Sequence, residues 1–134
     1  MSHVSKNRLS KRAEDNLIHT LEFVLARLSK EEEIKGFLFS LLSPTEKLML
    51  AKRFAIIILL KENLSDSQIS QAVHVTRETV SRVKMLSELK GQGYQAAFAK
   101  LQNEKLMQDL KGILLDLTRY SVRAAGGRVK PGIF

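Results

Sequence analysis

Residues 65–89, SDSQISQAVHVTRETVSRVKMLSEL, carry the side chains whose chemistry best indicates a function. Arginine can pair with guanine edges or phosphates through two parallel hydrogen bonds, and threonine and serine contact phosphates or the thymine methyl group. Such side chains on one short segment are typical of nucleic-acid recognition. The predicted DNA-contacting residues are Ser67, Gln68, Thr76, Arg77, Glu78, Thr79, Ser81, Arg82 and Lys84.

The spacing of polar residues predicts two short helices that present these side chains. Ser65 and Gln68 have the spacing of a capping box, in which each side chain accepts a backbone N–H of the other residue. This box predicts a helix over residues 66–73. Thr76 is a second N-cap residue and predicts a helix over residues 77–89.

Apolar residues on the facing sides of these two helices predict that the helices pack together as a helix-turn-helix. Ile69 and Val73 on the first helix face Val80 on the second, and Ser70 is small where the helices approach each other. His74 occupies a corner position where many such units have glycine, because the backbone there needs a positive φ, which histidine tolerates better than branched residues do. The alternative interpretation is a structural helical corner with solvated charges.

The sequence contains no comparable set of residues that indicates catalysis. The chain has no cysteine, and His3, His19 and His74 lie far apart without metal-ligand spacing. The glutamates at 31–33 open a predicted helix, where negative charge meets the positive end of the helix dipole. We therefore predict that the chain is not an enzyme and uses no metal or cofactor.

The excess of basic residues lies at the two ends of the chain. Its 22 basic and 14 acidic residues give a net charge of +8. Residues 1–12 and 117–134 carry this excess, while residues 13–116 are neutral overall. Basic tails strengthen binding to phosphate backbones, or alternatively only keep the ends of a chain soluble. The predicted organisation is a basic tail over 1–12, a helical DNA-binding domain over 13–120 with the helix-turn-helix at 65–89, and a basic flexible tail over 121–134.

Helical spacing of apolar residues dominates the rest of the chain, and no window alternates as a strand does. The predicted fold class is all-α, with about six helices. Ser29 with Glu32 and Ser43 with Glu46 predict two further capping boxes. Helices are expected near residues 13–28, 30–42, 45–62, 66–73 and 77–89, with one long last helix after a break at residues 91–93.

Residues 54–60, FAIIILL, are apolar on every face, which a helix tolerates only when it is buried all round. We therefore expect a homodimer, with a central helix of a monomeric bundle as the alternative. This apolar run is far shorter than the roughly 20 residues of a membrane span. Residues 1–12 are polar and lack the apolar core of a secretory signal. The expected location is cytoplasmic and nucleoid-associated.

Five short sequence motifs follow one another along the chain: SPTE at 43–46, LAKR at 50–53, SDSQI at 65–69, TVSRV at 79–83 and GQGY at 91–94. With them, residues 41–101 resemble the Trp-repressor-like family, and more closely its little-characterised homologues than its tryptophan sensors. The resemblance implies an intertwined six-helix homodimer. It also implies two recognition helices about 34 Å apart that read a pseudo-palindromic operator in double-stranded DNA.

The resemblance also implies where a ligand pocket would lie. Arg53 and Arg82 match the two arginines that flank tryptophan in the sensing members, and Thr79 matches a lining threonine. The next family position is a glycine that makes room for the indole ring, and here it is Val83. We therefore expect no response to tryptophan, and any small-molecule effector stays unknown. Arg53 has an alternative role as the partner of a carboxylate across the dimer.

The sequence thus predicts a sequence-specific transcription regulator, most simply a repressor, that places a helix-turn-helix in the major groove. One alternative is an architectural protein that coats DNA with little sequence preference. Another is an adaptor whose helix-turn-helix surface binds protein.

Overall fold

The computed structural model describes the backbone of residues 8–126 and the side chains of residues 8–117; the remainder of the two predicted basic tails lies outside these ranges. Over this part of the chain every regular element is an α-helix, which confirms the all-α prediction. None of these helices has both the length and the apolar character that a membrane crossing needs. The seven helices are α1 (Lys11–Arg27), α2 (Glu31–Leu41), α3 (Pro44–Lys61), α4 (Asp66–Val73), α5 (Arg77–Lys90), α6 (Gln92–Leu101) and α7 (Lys105–Gly126).

The prediction of one long last helix was wrong, because the chain interrupts it between α6 and α7. Asn103 adopts the left-handed conformation with φ 65°, and such a residue ends a helix much as glycine does. The predicted break at residues 91–93 is also shorter than expected. Gly91 alone separates α5 from α6, and a Cβ at this position would collide with the carbonyl oxygen of Ser87.

The N-termini of α3 and α2 show which of the two further predicted capping boxes form. Ser43 and Glu46 form the predicted box: the Ser43 N–H donates to Glu46 Oε1 over 2.9 Å, and the Glu46 N–H donates to Ser43 Oγ over 3.1 Å. The box predicted at Ser29 was wrong. The second helix begins one residue later, with Lys30 as an N-cap that supplies no side-chain hydrogen bond. Three glutamates in its first turn interact favourably with the helix dipole instead.

The chain divides into two compact units, the first ending at Leu50 and the second beginning at Ala51. In the first unit, neither α1 nor α2 has a buried residue. Large apolar side chains in this unit are well exposed to solvent, and the most exposed is Phe39 at 76%. The others include Leu17, Ile18, Leu21, Phe23, Leu25, Leu41, Leu48, Met49 and Leu50.

The second unit contains the hydrophobic core. Ile56, Ile57, Ile58 and Leu59 of α3 are each at most 5% exposed, and helices α4, α5, α6 and α7 all supply side chains to the same cluster. The apolar segment at 54–60 is therefore covered largely within one chain. Its all-round apolar character does not by itself require a second subunit, contrary to the reasoning from sequence.

Aromatic rings pack α6 against α3 within this unit. Phe54 stacks on Tyr94 and on Phe98, with ring centroids 6.3 Å and 5.8 Å apart. The Lys61 ammonium lies 4.1 Å from the centroid of Phe98, a favourable cation–π distance. These contacts place α6 beside the second half of α3.

α7 covers the side of α4 that would otherwise be open. These two helices pack against each other, and Leu114 of α7 is 7% exposed within the core cluster. An ion pair of 2.9 Å between Lys111 of α7 and Glu62 at the end of α3 adds a polar contact. The helix-turn-helix is thus supported from behind by the last helix.

Candidate nucleic-acid interface

The start of α4 is held by the predicted capping box. The Gln68 N–H donates to Ser65 Oγ over 3.1 Å, and the Ser65 N–H donates to Gln68 Oε1 over 3.0 Å. The amide oxygen of Gln68 is therefore used within the chain, while its NH₂ group retains donor capacity. Ser67 lies in the same first turn, where the backbone N–H groups and the helix dipole favour an anion such as phosphate.

The corner of the motif has the backbone conformation that its sequence predicts. His74 has φ 57° and ψ 56°, in the left-handed region, and its N–H donates to the Ser70 carbonyl. The Val75 N–H donates to the same carbonyl over 3.1 Å. Lys52 of α3 donates from Nζ to the His74 carbonyl over 3.2 Å, so a side chain of the core helix holds the corner.

Thr76 opens α5 as predicted. Its Oγ1 accepts the Thr79 N–H over 3.0 Å, and the two threonine hydroxyls lie 2.9 Å apart. This geometry fixes the first turn of α5, which is the part of a recognition helix that approaches base edges. Thr79 thus has a role in the cap besides the predicted role in DNA contact.

The small core between α4 and α5 is also confirmed. Ile69 and Val80 are fully buried and Val73 is 8% exposed. Ser70 is buried, and its hydroxyl donates to the Ser67 carbonyl over 3.0 Å, so its polar group is satisfied where the helices approach each other. The two helices therefore form one rigid corner.

The basic side chains of α5 project into solvent. Arg77, Arg82 and Lys84 are all exposed. Arg82 lies 3.8 Å from the carboxylate of Glu78, and this exposed pair four residues apart is weak. Neither Arg77 nor Lys84 forms an ion pair with any residue whose side chain the structure describes. Their cationic groups are available to a polyanion.

Ser81 differs from the other predicted contact residues. Its hydroxyl donates to Asp66 Oδ2 over 3.1 Å and joins the first residue of α4 to α5. Asp66 was not among the predicted site residues, although an acid in the first turn of a helix is a recognisable sequence signal. The Ser81 hydroxyl is therefore engaged in a hydrogen bond that joins the two helices.

Two apolar residues of α5 were also missed by the sequence analysis. Met85 is 54% exposed and Leu89 is 75% exposed. Met85 follows Arg82 by three residues and Leu89 follows Met85 by four, so the three share one helix face. An apolar side chain on a DNA-facing helix can contact the thymine methyl group.

The predicted ligand-pocket residues are only partly brought together. Arg53 and Val83 line one cavity of about 520 Å³ with Lys90 and Tyr94, whereas Thr79 and Arg82 do not line it. Val83 is 8% exposed and belongs to the core cluster. Among the described residues no group of histidines and acids could hold a metal ion.

A capped helix-turn-helix with exposed arginine and lysine side chains on its second helix is the architecture of helix-turn-helix DNA-binding proteins. Residues 16–102, more than half of the chain, match the family described as Trp repressor protein. The chain belongs to this family of DNA-binding transcription regulators, which confirms the resemblance. No curated protein and no solved structure gives a significant match. Helix α7 lies beyond the matched residues.

Proposed function

We propose that this protein is a sequence-specific transcriptional repressor that inserts α5 into the major groove of DNA. The observation that carries the proposal is the exposure of Arg77, Arg82 and Lys84 on a helix whose first turn is fixed by Thr76. Fixed helix starts give base-reading side chains a defined register, and exposed arginines supply bidentate hydrogen bonds to guanine.

Exposure and hydrogen bonding divide the predicted contact residues into three groups. Arg77, Arg82, Lys84 and the acceptor Glu78 are the base and phosphate contacts that we expect on α5, because their charged groups are exposed. Ser67 and the free NH₂ group of Gln68 at the start of α4 are the expected phosphate contacts. The remaining predicted residues, Thr76, Thr79 and Ser81, first serve to hold α5 in place.

We further propose that the protein acts as a homodimer. The support lies in the first unit, where α1 and α2 bury no residue and leave large apolar side chains such as Phe39 exposed. Such a surface in water favours association with a second copy. A two-fold dimer presents two copies of α5, and the matching DNA is a pseudo-palindrome with half-sites about one helical turn apart.

L-tryptophan is not the effector in this proposal. Val83 places a branched side chain, 8% exposed, at the position where the family resemblance puts the indole ring. Overpacking of this kind costs about 1–3 kcal/mol, which removes one to two decades of affinity.

Selection of bound DNA from a random pool, followed by affinity measurements on the full chain, tests the proposal. We expect an enriched palindrome. Arg77→Ala should relax preference at one base pair of each half-site by about 1–3 kcal/mol. Lys84→Ala should weaken binding and flatten the salt dependence by about one unit, whereas Lys100→Ala, an exposed lysine on α6, should do neither.

The alternatives predict different outcomes of the same measurements. An architectural protein would enrich no sequence, and its affinity would fall with salt whichever residue of α5 was changed. An adaptor would bind no DNA at all. Either result would contradict the proposed function.

A further inference from the structure

α7 carries a line of apolar side chains that the fold leaves uncovered. One side of this helix packs on α4 and contributes Leu114 to the core. Beside that side, Leu106, Ile113 and Leu117 are 69%, 58% and 40% exposed. With the half-buried Leu110 they form the α7 strip, in which apolar residues recur at intervals of four, three and four positions. Such a repeat, 3.5 residues on average, is the pattern with which one α-helix packs along another.

α1 carries a second strip with the same spacing. Leu17, Leu21, Val24 and Leu28 also follow one another at intervals of four, three and four positions. Leu28 is the C-cap residue, but its N–H still donates to the Val24 carbonyl, so it keeps its place on the helix. No residue of α1 is buried. Each chain therefore has two uncovered apolar strips of equal length and equal spacing.

Charged residues border both strips at equivalent positions. Arg27 lies one residue before Leu28, and Asp109 lies one residue before Leu110. Both charged residues are exposed. Arg27 gives one N–H to the Phe23 carbonyl, and a guanidinium has four more N–H donors. Charged residues at these bordering positions set which helices pair and in which direction.

The charges favour an antiparallel pairing of the α1 strip with the α7 strip. Antiparallel packing forms four apolar layers, namely Leu17 with Leu117, Leu21 with Ile113, Val24 with Leu110 and Leu28 with Leu106. In this register Arg27 lies beside Asp109, which is an attractive pair. Parallel packing would instead place Asp109 beside the apolar Leu25.

We propose that α1 of one copy packs antiparallel on α7 of a second copy, with Arg27 beside Asp109 of the partner. The inference rests on the proposed homodimer and names α7, which lies beyond the residues that match the family, as part of its interface. Two-fold symmetry forms the pairing twice. A second α7 is a poorer occupant of the α7 strip, because antiparallel packing of two such strips sets Asp109 beside Asp116.

Cysteine pairs test which helices meet. The chain contains no cysteine, so introduced cysteines report only on their own positions. Leu21→Cys in one chain and Ile113→Cys in a second chain of different size are co-expressed, and the purified protein is oxidised mildly without DNA. The two chains should become linked, because opposing residues of one layer lie within disulfide reach. In the control, Lys100→Cys on α6 replaces Ile113→Cys and should give only background linkage. Equal linkage in the two experiments would overturn the pairing.

A second set of cysteine pairs tests the direction. Leu17→Cys should link to Leu117→Cys in the antiparallel arrangement, and it should not link to Leu106→Cys. The three native side chains are exposed, so these substitutions leave the core intact. Preferential linkage to Leu106→Cys would overturn the antiparallel register.

Charge reversal tests the ion pair. Arg27→Glu should weaken dimerisation about tenfold in sedimentation equilibrium, because it sets like charges side by side at two symmetry-related places. Asp109→Arg should have the same effect, and the combined variant should restore the wild-type dissociation constant. Arg12→Glu makes the same charge change on the opposite side of α1 and should leave the constant unchanged. Singly reversed variants that dimerise normally, or a combined variant without rescue, would overturn the ion pair.

The outcomes also separate this pairing from the proposed homodimer. A protein that stays monomeric would contradict both. A dimer in which Leu21→Cys and Ile113→Cys do not link would overturn the pairing and leave the homodimer. Linkage found only when both cysteines are in one chain would overturn the second copy as the occupant. None of these measurements uses DNA, so a protein that binds no DNA would contradict the proposed function without deciding the pairing.

Discussion

Substitution of Val83 by glycine provides the sharpest test of the ligand specificity proposed here. Val83 is 8% exposed in the core cluster. Removing one buried methyl group costs about 0.5–1.5 kcal/mol, and its side chain contributes three carbons, so the packing loss approaches about 2–3 kcal/mol. Glycine in a helix interior adds about 1 kcal/mol. A loss of about 3–4 kcal/mol remains below the 5–15 kcal/mol of a typical domain.

The functional expectation follows from the neighbouring cavity of about 520 Å³, whose lining includes Arg53. Val83→Gly joins the space of the lost side chain to this cavity, so the indole ring of L-tryptophan can enter it with the tryptophan carboxylate near the Arg53 guanidinium. Titration calorimetry should detect L-tryptophan binding to the variant and none to the wild type. The selected DNA should bind the variant more tightly when tryptophan is present.

Val80→Ala is the matched control for this experiment. Val80 lies on the same helix and is fully buried, but it does not line the cavity. Its truncation should cost about 1–3 kcal/mol in urea unfolding and produce no tryptophan response. Micromolar binding of tryptophan by the wild type, or the same response from both variants, would refute the argument that Val83 blocks the ring.

Three further predictions concern the corner of the motif, the N-cap of α3 and the hydrogen bond between α4 and α5. His74→Gly relieves a left-handed residue and should raise the free energy of unfolding by about 0.5–1 kcal/mol, whereas His74→Val should lower it; the opposite order in thermal melts would contradict the backbone argument. The pKa of Glu46 is lowered from 4.5 because the Ser43 backbone N–H and hydroxyl donate to its carboxylate. Its stabilisation is therefore present above pH 4.5 and is lost as the pH falls through the lower folded pKa, so Glu46→Gln should melt below the wild type at neutral pH, with the gap closing in acid. Ser81→Ala and Asp66→Ala should each cost up to about 1 kcal/mol in urea unfolding, and the double variant should cost no more than either alone if their hydrogen bond is the shared cause.

Local signals explain why the recognition motif could be predicted from the sequence. Ser65 and Thr76 cap their helices through residues only three positions away, so their geometry depends little on the rest of the fold. The positive φ of His74 is likewise set by a tight corner. Short-range hydrogen bonding gave the motif its boundaries, and these boundaries place the basic side chains.

Non-local packing explains two of the failures. Periodicity shows that residues 54–60 are apolar on all faces, but it does not show that α7 returns to the core with Leu114. The link between Ser81 and Asp66 spans fifteen positions, and no spacing rule predicts it. The break at Asn103 contains neither glycine nor proline, so no usual helix-ending residue marks it in the sequence. At Ser29 the sequence has the spacing of a capping box, but the N-cap of the helix is the next residue, Lys30.

The packing of α7 on α4 has a consequence for how this protein is made. α4 leaves the ribosome some forty residues before Leu114, so the side of α4 that α7 covers stays exposed to water until α7 has been synthesised. A fragment cut at residue 102, where the family match ends, would keep the recognition helix but lose the helix that packs on α4. A clone trimmed to the family boundary lacks this packing partner of α4 and is expected to aggregate.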